Sequence, residues 1–243
     1  MFGIPGPQSV TRRDPFQQYV RMLILGQGPN GTTDGLVDLT GRHARTLLDA
    51  PATTTSQKAF GASSIQLDGT NDGLRFPMSD DFRVVTGGIC YEGHFRRSGT
   101  PGTAWGIASM NHSGYDYTWA LGINSAGHVG VSLTASSAED LSAMATNRGA
   151  VADTTWTHIA LAYDQAAVEW RVYVAGARTA TIAVGAFTAP QDYLYLASLI
   201  TGGGTWFAGN CNAWRITQHT RYFGATIQVP GFEDYLASLV PAA

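Results

Sequence analysis

Apolar and polar residues alternate along this chain in short runs, separated by clusters of Gly, Asn, Asp, Ser and Thr. Alternation with period two predicts β-strands, because successive side chains leave a strand on opposite faces. By this test strands fall over residues 18–25, 63–67, 88–96, 119–123, 128–134, 156–163, 169–174, 178–184, 193–199 and 211–217. Turn formers separate them. GQGPNGTTDG fills 26–35, a turn spans 38–42, residues 51–58 are a polar Thr/Ser stretch, and 164–167 is a loop. NSAG at 124–127 reads as a hairpin turn, and Ala175-Gly176 as a tight one. Helical periodicity is nearly absent, hinted at only over 137–147 and in the tail around 232–239. Many short strands with turn signals between them predict a sandwich or barrel. No repeat or linker divides the pattern. Residues 1–14, with Gly3, Pro5, Gly6 and Pro7, have no apolar periodicity and read as an extended arm, either frayed or docked on a neighbour.

Composition narrows this picture. A chain of 243 residues suits one sandwich and can bury a core without disulfides or metals. Charged residues are 14% of the chain, beside 29 Gly and 10 Pro, against about 25% charged in an average domain. This describes a β-rich surface of Thr, Ser, Asn and Gly. The net charge is -3 and no basic run occurs. Nucleic-acid binding depends on clustered Lys and Arg, so no nucleic-acid partner is expected. No apolar stretch reaches the ~20 residues that cross a bilayer, so no membrane insertion is expected. The first residues lack a charged start followed by an apolar run, so no secretory signal is expected and folding in the cytoplasm is. Cys90 and Cys211 are too few for a disulfide framework. They read as buried thiols, with one bridge between neighbouring strands as the alternative.

Five segments in order resemble one family. They are KAFGASSIQLDGTND (58–72), FRVVTGGICYEGHF (82–95), WTHIALAY (156–163), RVYVAG (171–176) and FAGNCNAWRIT (207–217). Together they resemble the laminin G-like domain of the concanavalin A-like lectin/glucanase superfamily. RITQHTRY (215–222) followed by Val229-Pro230 resembles the ending of such domains in tailed-phage structural proteins, and 14–25 resembles their opening. The resemblance implies an all-β, concanavalin A-like jelly-roll sandwich of two antiparallel sheets over residues 15–232, between the arm of 1–14 and a tail of 233–243. It also implies a virion component, made in the host cytoplasm and present in many copies or as a homo-oligomer. Its partners would be other virion proteins and host-surface glycans. Two acids of the family pattern are missing, with Ala175 in the hairpin and Asn212 in the last strand.

Candidate chemistry is sparse. Glycoside hydrolysis needs two facing carboxyls, and the E-x-D-x-x-E of related glucanases is absent: Glu92 is followed by His94 and Arg97. Cys90, Glu92 and His94 share one strand face, but ligands on one flat strand converge poorly on an ion. Asp68 to Asp72 could offer oxygens to calcium and is equally an Asx-rich turn. No metal or cofactor is expected. Arg215 and Arg221 can bind carbonyls or a carboxylate in the closing corner. Glycan contact calls for aromatics and amides in loops. Trp105 in GTAWG, His112, and Trp206 and Asn210 in GGGTWFAGN are the candidates, whereas Tyr115, Tyr117 and Trp119 read as a core stripe. The expected function is a non-enzymatic decoration or adhesion module of a phage head or tail. The alternatives are a cementing subunit without sugar binding and a polysaccharide hydrolase.

Overall fold

The alternating pattern becomes fourteen strands in two antiparallel sheets among the described residues. The computed structural model describes residues 14–84, 86–99, 104–111, 117–133, 148–183, 192–199 and 205–237. The larger sheet runs β12 (Ala177–Ile182), β11 (Glu169–Val174), β10 (Trp156–Asp164), β6 (Ile89–Arg97), β14 (Ala208–Thr217), β4 (Ser64–Asp68) and β3 (Ala52–Thr54). β1 (Val20–Ile24) pairs with the second half of β14. The smaller sheet runs β2 (Thr46–Leu48), β5 (Gly73–Pro77), β13 (Tyr193–Leu196), β7 (Ala104–Asn111), β8 (Tyr117–Asn124) and β9 (Val129–Ser132). Among the described residues one α-helix, α1 (Phe232–Ala237), follows the last strand. The two sheets enclose a core of Phe76, Phe95, Trp119, Leu121, Leu161, Trp170, Leu194, Trp214 and Ile216, among others. The jelly-roll sandwich of the sequence reading is therefore present.

Four strands were not expected. β2 and β3 are three residues each, too short to show alternation, and β3 lies inside the polar 51–58 stretch. β5 opens on Gly and closes on Pro, and β7 mixes Ala, Gly and Ser, so neither carries the β-branched signature. The tail hint is realised as α1. The hint at 137–147 lies outside the described residues. Packing also runs past the expected domain limits, because Asp14 and Tyr235 are both buried. Cys90 and Cys211 are buried and free.

The larger sheet is covered on both faces. An antiparallel sheet commonly leaves one face to water, yet eight of the nine residues of β10 are buried. Ile159 and Leu161 enter the core between the sheets. His158, Ala160 and Ala162 point outward, and there Tyr222 and Tyr173 cover the alanines and Cys90. Edge strand β12, by contrast, alternates exposed and half-buried positions.

Strand β14 organises that outer face. Its pairing with β6 shifts by one residue between Asn212 and Arg215, a β-bulge. Ala213 takes up the extra residue at φ 55°. A bulge reverses which face later side chains meet. Asn212 and Ala213 thus both lie outside, Trp214 and Ile216 turn into the core, and Arg215 turns out. Near its start, Gly209 sits at φ 142°, where an added Cβ would lie 2.2 Å from the Arg96 carbonyl oxygen. Gly209→Ala should therefore lower unfolding free energy by about 2–4 kcal/mol, from backbone strain and overpacking. Urea unfolding measures this, and a midpoint unchanged from the parent would show that β14 adapts.

Candidate functional site on the outer face of the larger sheet

The register of five strands, β11, β10, β6, β14 and β4, sets the outer face in rows, since directly paired residues share a face. One row holds Arg215, Glu92, Ala160 and Tyr173. The next holds Asn212, His94 and His158. A third holds Gln66, Asn210, Arg96 and Trp156.

The first row carries a buried charge cluster. Glu92 is 3% exposed. Its Oε1 accepts from Arg215 Nε at 2.9 Å, and Arg215 Nη2 comes to 2.8 Å off the hydrogen-bonding direction. Arg221 Nε lies 3.4 Å from the same oxygen. Oε2 accepts from His158 Nε2 at 3.0 Å and from the Tyr222 hydroxyl. Arg221 also grips Asp14 with two nitrogens, Nη1 at 3.0 Å and Nη2 at 3.1 Å. Arg215 Nη1 reaches Asp14 at 3.4 Å. Rings cover both guanidiniums, Tyr235 at 4.4 Å from Arg215 and Phe16 at 4.9 Å from Arg221. Two carboxylates and two guanidiniums balance. This is the carboxylate in the closing corner that the sequence allowed Arg215 and Arg221 to bind. The second carboxylate, Asp14, lies within the stretch read as an arm and gave no signal of its own.

Burial by itself would raise the Glu92 carboxyl. Arg215, the His158 hydrogen bond and Arg221 override that and hold it well below the usual carboxylate range. A carboxyl so fixed as an ion, and shut from water, neither delivers a proton nor meets a substrate. His94 behaves oppositely, since burial and then His158 lower it from 6.5 to about 3. Tyr235 caps it, with the hydroxyl 3.3 Å from Nδ1. Cys90, Glu92 and His94 do share a face, but Glu92 is spent on arginines and burial drives the Cys90 thiol well up. They form no metal site.

A second acidic group lies at the sheet edge, where Asp49, Asp68 and Asp72 bring their oxygens within 4.8 Å of one another. Asp49 gave no signal in the sequence. Asp72 spends its oxygens on the Ala50 N–H and the Asp68 N–H, each at 3.0 Å. Asp68 Oδ1 accepts from Thr70 at 2.8 Å and Asn71 at 3.4 Å. Calcium takes about six or more oxygens, and two of these three carboxylates, Asp68 and Asp72, already hold an Asx-type turn.

The third row is different. Gln66 is exposed, Arg96 and Trp156 are half-buried, and Asn210 is 6% exposed. Of the expected glycan contacts, Asn210 alone falls in this row. Trp206 is 7% exposed and packs over Gly73. Trp105 packs edge-on against Phe207 at 6.0 Å and borders the core. Their rings therefore fill the sandwich end rather than form an open platform. His112 and Tyr115 lie outside the described residues, and Trp119 is core. Gln66, Arg96 and Trp156 were missed because alternation alone did not show which strands are neighbours. Asn212 stands where the family pattern has an acid. Its Nδ2 donates to the Leu25 and Ser63 carbonyls at 2.9 and 3.0 Å, and its Oδ1 accepts from Ala59 N–H at 2.9 Å.

Two facing antiparallel sheets with this closing corner define a lectin-like β-sandwich. The family model described as the concanavalin A-like lectin/glucanases superfamily matches residues 68–221, and the chain belongs to that family. No curated protein matches it in sequence. Among solved structures, domain 4 of AbnA is similar, with a TM-score of 0.60 and 14% identity over 90% of this chain and 97% of that one. AbnA is an extracellular GH43 arabinanase of Geobacillus stearothermophilus, and the domain was solved with arabinotriose. Trypanosoma rangeli sialidase with sialic acid gives 0.61 at 10% identity, over 91% of this chain and 33% of that one. The chain thus spans about a third of the sialidase. The binding domain of Paraclostridial Mosquitocidal Protein 1 gives 0.55 at 8% identity, over 85% and 50%. These likenesses are of fold.

Two outcomes follow from the buried cluster. Glu92→Gln leaves two buried guanidiniums with one carboxylate and should cost about 3–5 kcal/mol in urea unfolding. A loss under about 1 kcal/mol would mean that water or rearrangement replaces the charge. The unfolded chain protonates His94 near pH 6.5 and the folded chain only near 3. That stability is whole above about pH 6.5 and is lost as pH falls. Glu92, whose folded value is depressed, adds a further loss below about pH 4.3. His94→Gln should flatten the urea midpoint between about pH 6.5 and 4.5, leaving the steeper fall below it. A slope equal to the parent's would place the titration elsewhere.

Proposed function

We propose that this chain is a non-enzymatic, carbohydrate-directed module on the surface of a phage particle, acting as a decoration or adhesion subunit of head or tail. One observation carries the carbohydrate part: an aromatic ring, two amides and a guanidinium stand in one row of the outer sheet face, as Trp156, Asn210, Gln66 and Arg96, with Gln66 exposed and Arg96 and Trp156 half-buried. Sugar sites combine an aromatic surface with a few convergent polar groups. The arabinotriose complex of AbnA domain 4 supports the same use of the fold. The absence of catalysis rests on Glu92, which is fixed as a buried ion, and on Asp68 and Asp72, whose oxygens hold a turn. The phage setting rests on the resemblance of 215–222 and Val229-Pro230 to phage structural proteins. Many copies on one particle would turn weak binding into avidity.

A cementing role without sugar is the second reading. Phe223 at 55% and Val168 at 53% exposure favour it, since they offer apolar contact to a neighbouring subunit.

The purified chain should be retained on host-surface polysaccharide and release no new reducing ends from it. Trp156→Ala should lower retention about tenfold, the scale of one good aromatic contact. Sugar release by the parent chain would make it a hydrolase. Retention absent on every polysaccharide, with Phe223 buried against a neighbour in a cryo-electron microscopy map of the particle, would favour cementing. Absence from purified particles would remove the virion reading.

A further inference from the structure

Arg96 is unlike the other arginines of its sheet face. Arg171 is held by Asp164 at 2.6 Å and Glu169 at 2.7 Å. Arg215 and Arg221 are held by Glu92 and Asp14. Among the described residues no acidic side chain pairs with Arg96, and Gln66, Asn210 and Trp156 make no side-chain hydrogen bond. Arg96 stands directly between Asn210 and Trp156 in the register, with Gln66 beyond Asn210. Neighbouring strands lie about 4.8 Å apart, so the four positions span roughly 14 Å across the sheet. The row is a cation flanked by an indole and two amides, with no anion of its own.

We infer that this row binds a carboxylated sugar chain, with the sugar carboxylate on Arg96, the ring face on Trp156 and hydroxyls on Asn210 and Gln66. The inference rests on the carbohydrate reading and sharpens it to acidic glycans. A guanidinium meets a carboxylate with two parallel N–H bonds, a match that a hydroxyl does not reproduce. An indole offers a flat apolar face to the C–H side of a sugar ring. The amides donate and accept, which suits hydroxyls of either orientation. The partial burial of Arg96 and Trp156 protects the ion pair from full screening while leaving it open to a ligand.

The test is titration of the full chain with an oligogalacturonate and with the same oligosaccharide after its carboxyls are reduced to alcohols. The acidic form should bind at least about tenfold tighter, and the gap should narrow as salt is raised. Arg96→Gln should erase the gap, while Trp156→Ala should weaken both forms. Arg83→Gln, at an exposed arginine paired with Asp80 outside this row, should change neither, and melting of each variant checks folding. Equal binding of both forms, lost in Trp156→Ala, would overturn the acidic specificity and leave the carbohydrate reading standing. A preference for the acid that survives Arg96→Gln would overturn the assignment to this row. No binding of either form, with retention on neutral host polysaccharide, would overturn the inference alone. No binding to any glycan would overturn the carbohydrate reading with it.

Discussion

Glu92 sits where a carboxylate is most costly, at the middle of a central strand and out of contact with water. An ion so placed is tolerated only if opposite charge and hydrogen bonds replace its hydration. Here both arginines come from the chain at and after β14, and the second carboxylate comes from Asp14, before β1. The cluster therefore ties three distant parts of the sequence to one point on the sheet. Remove the charge balance and the outer layer loses its reason to lie flat. The packing around it follows the same demand. Ala160, Ala162 and Cys90 are small, and this leaves space for the rings of Tyr173 and Tyr222 that shut water out.

The bulge at Ala213 is what lets the arginine reach. Strand alternation alone would send position 215 to the core side, given that Cys211 lies there. One extra residue at positive φ moves Arg215 to the outside and Trp214 into the core, where it meets Phe95 at 5.7 Å. A single irregularity thus settles both an aromatic core contact and a buried ion pair.

This explains how much the sequence disclosed. Strands with strong alternation, such as 156–163 and 169–174, were legible because local pattern and burial agree. β2, β3, β5 and β7 were not, because their length or composition follows from the neighbours they complete. The roles of Arg215 and Arg221 were legible as a pair seeking oxygen. Their main partner, Glu92, lies over a hundred positions away, and only the strand order joins them. Trp105 and Trp206 looked like loop aromatics, and the structure uses them to close the sandwich end. The register of Trp156 with Arg96 sets it on the outer face, a placement that alternation alone did not show.

The outer face is thus divided by coverage. Where Tyr222, Tyr235 and Phe16 lie over the sheet, every charge is matched within the chain. At the Arg96 row, further along β6, that cover thins, with Arg96 and Trp156 half-buried and Gln66 exposed, and among the described residues no acid pairs with this arginine. Buried charges must be balanced internally, because nothing else can reach them. An exposed charge carries no such requirement, since water solvates it at little cost. The sequence spends its acids accordingly, with Glu92 and Asp14 beneath the covering layer and neither Gln66 nor Asn210 an acid beside Arg96. An amide in those two places keeps hydrogen-bonding capacity without cancelling the cation. That choice of side chains separates the charge-balanced part of the face, which holds the fold, from the row for which a sugar ligand is proposed.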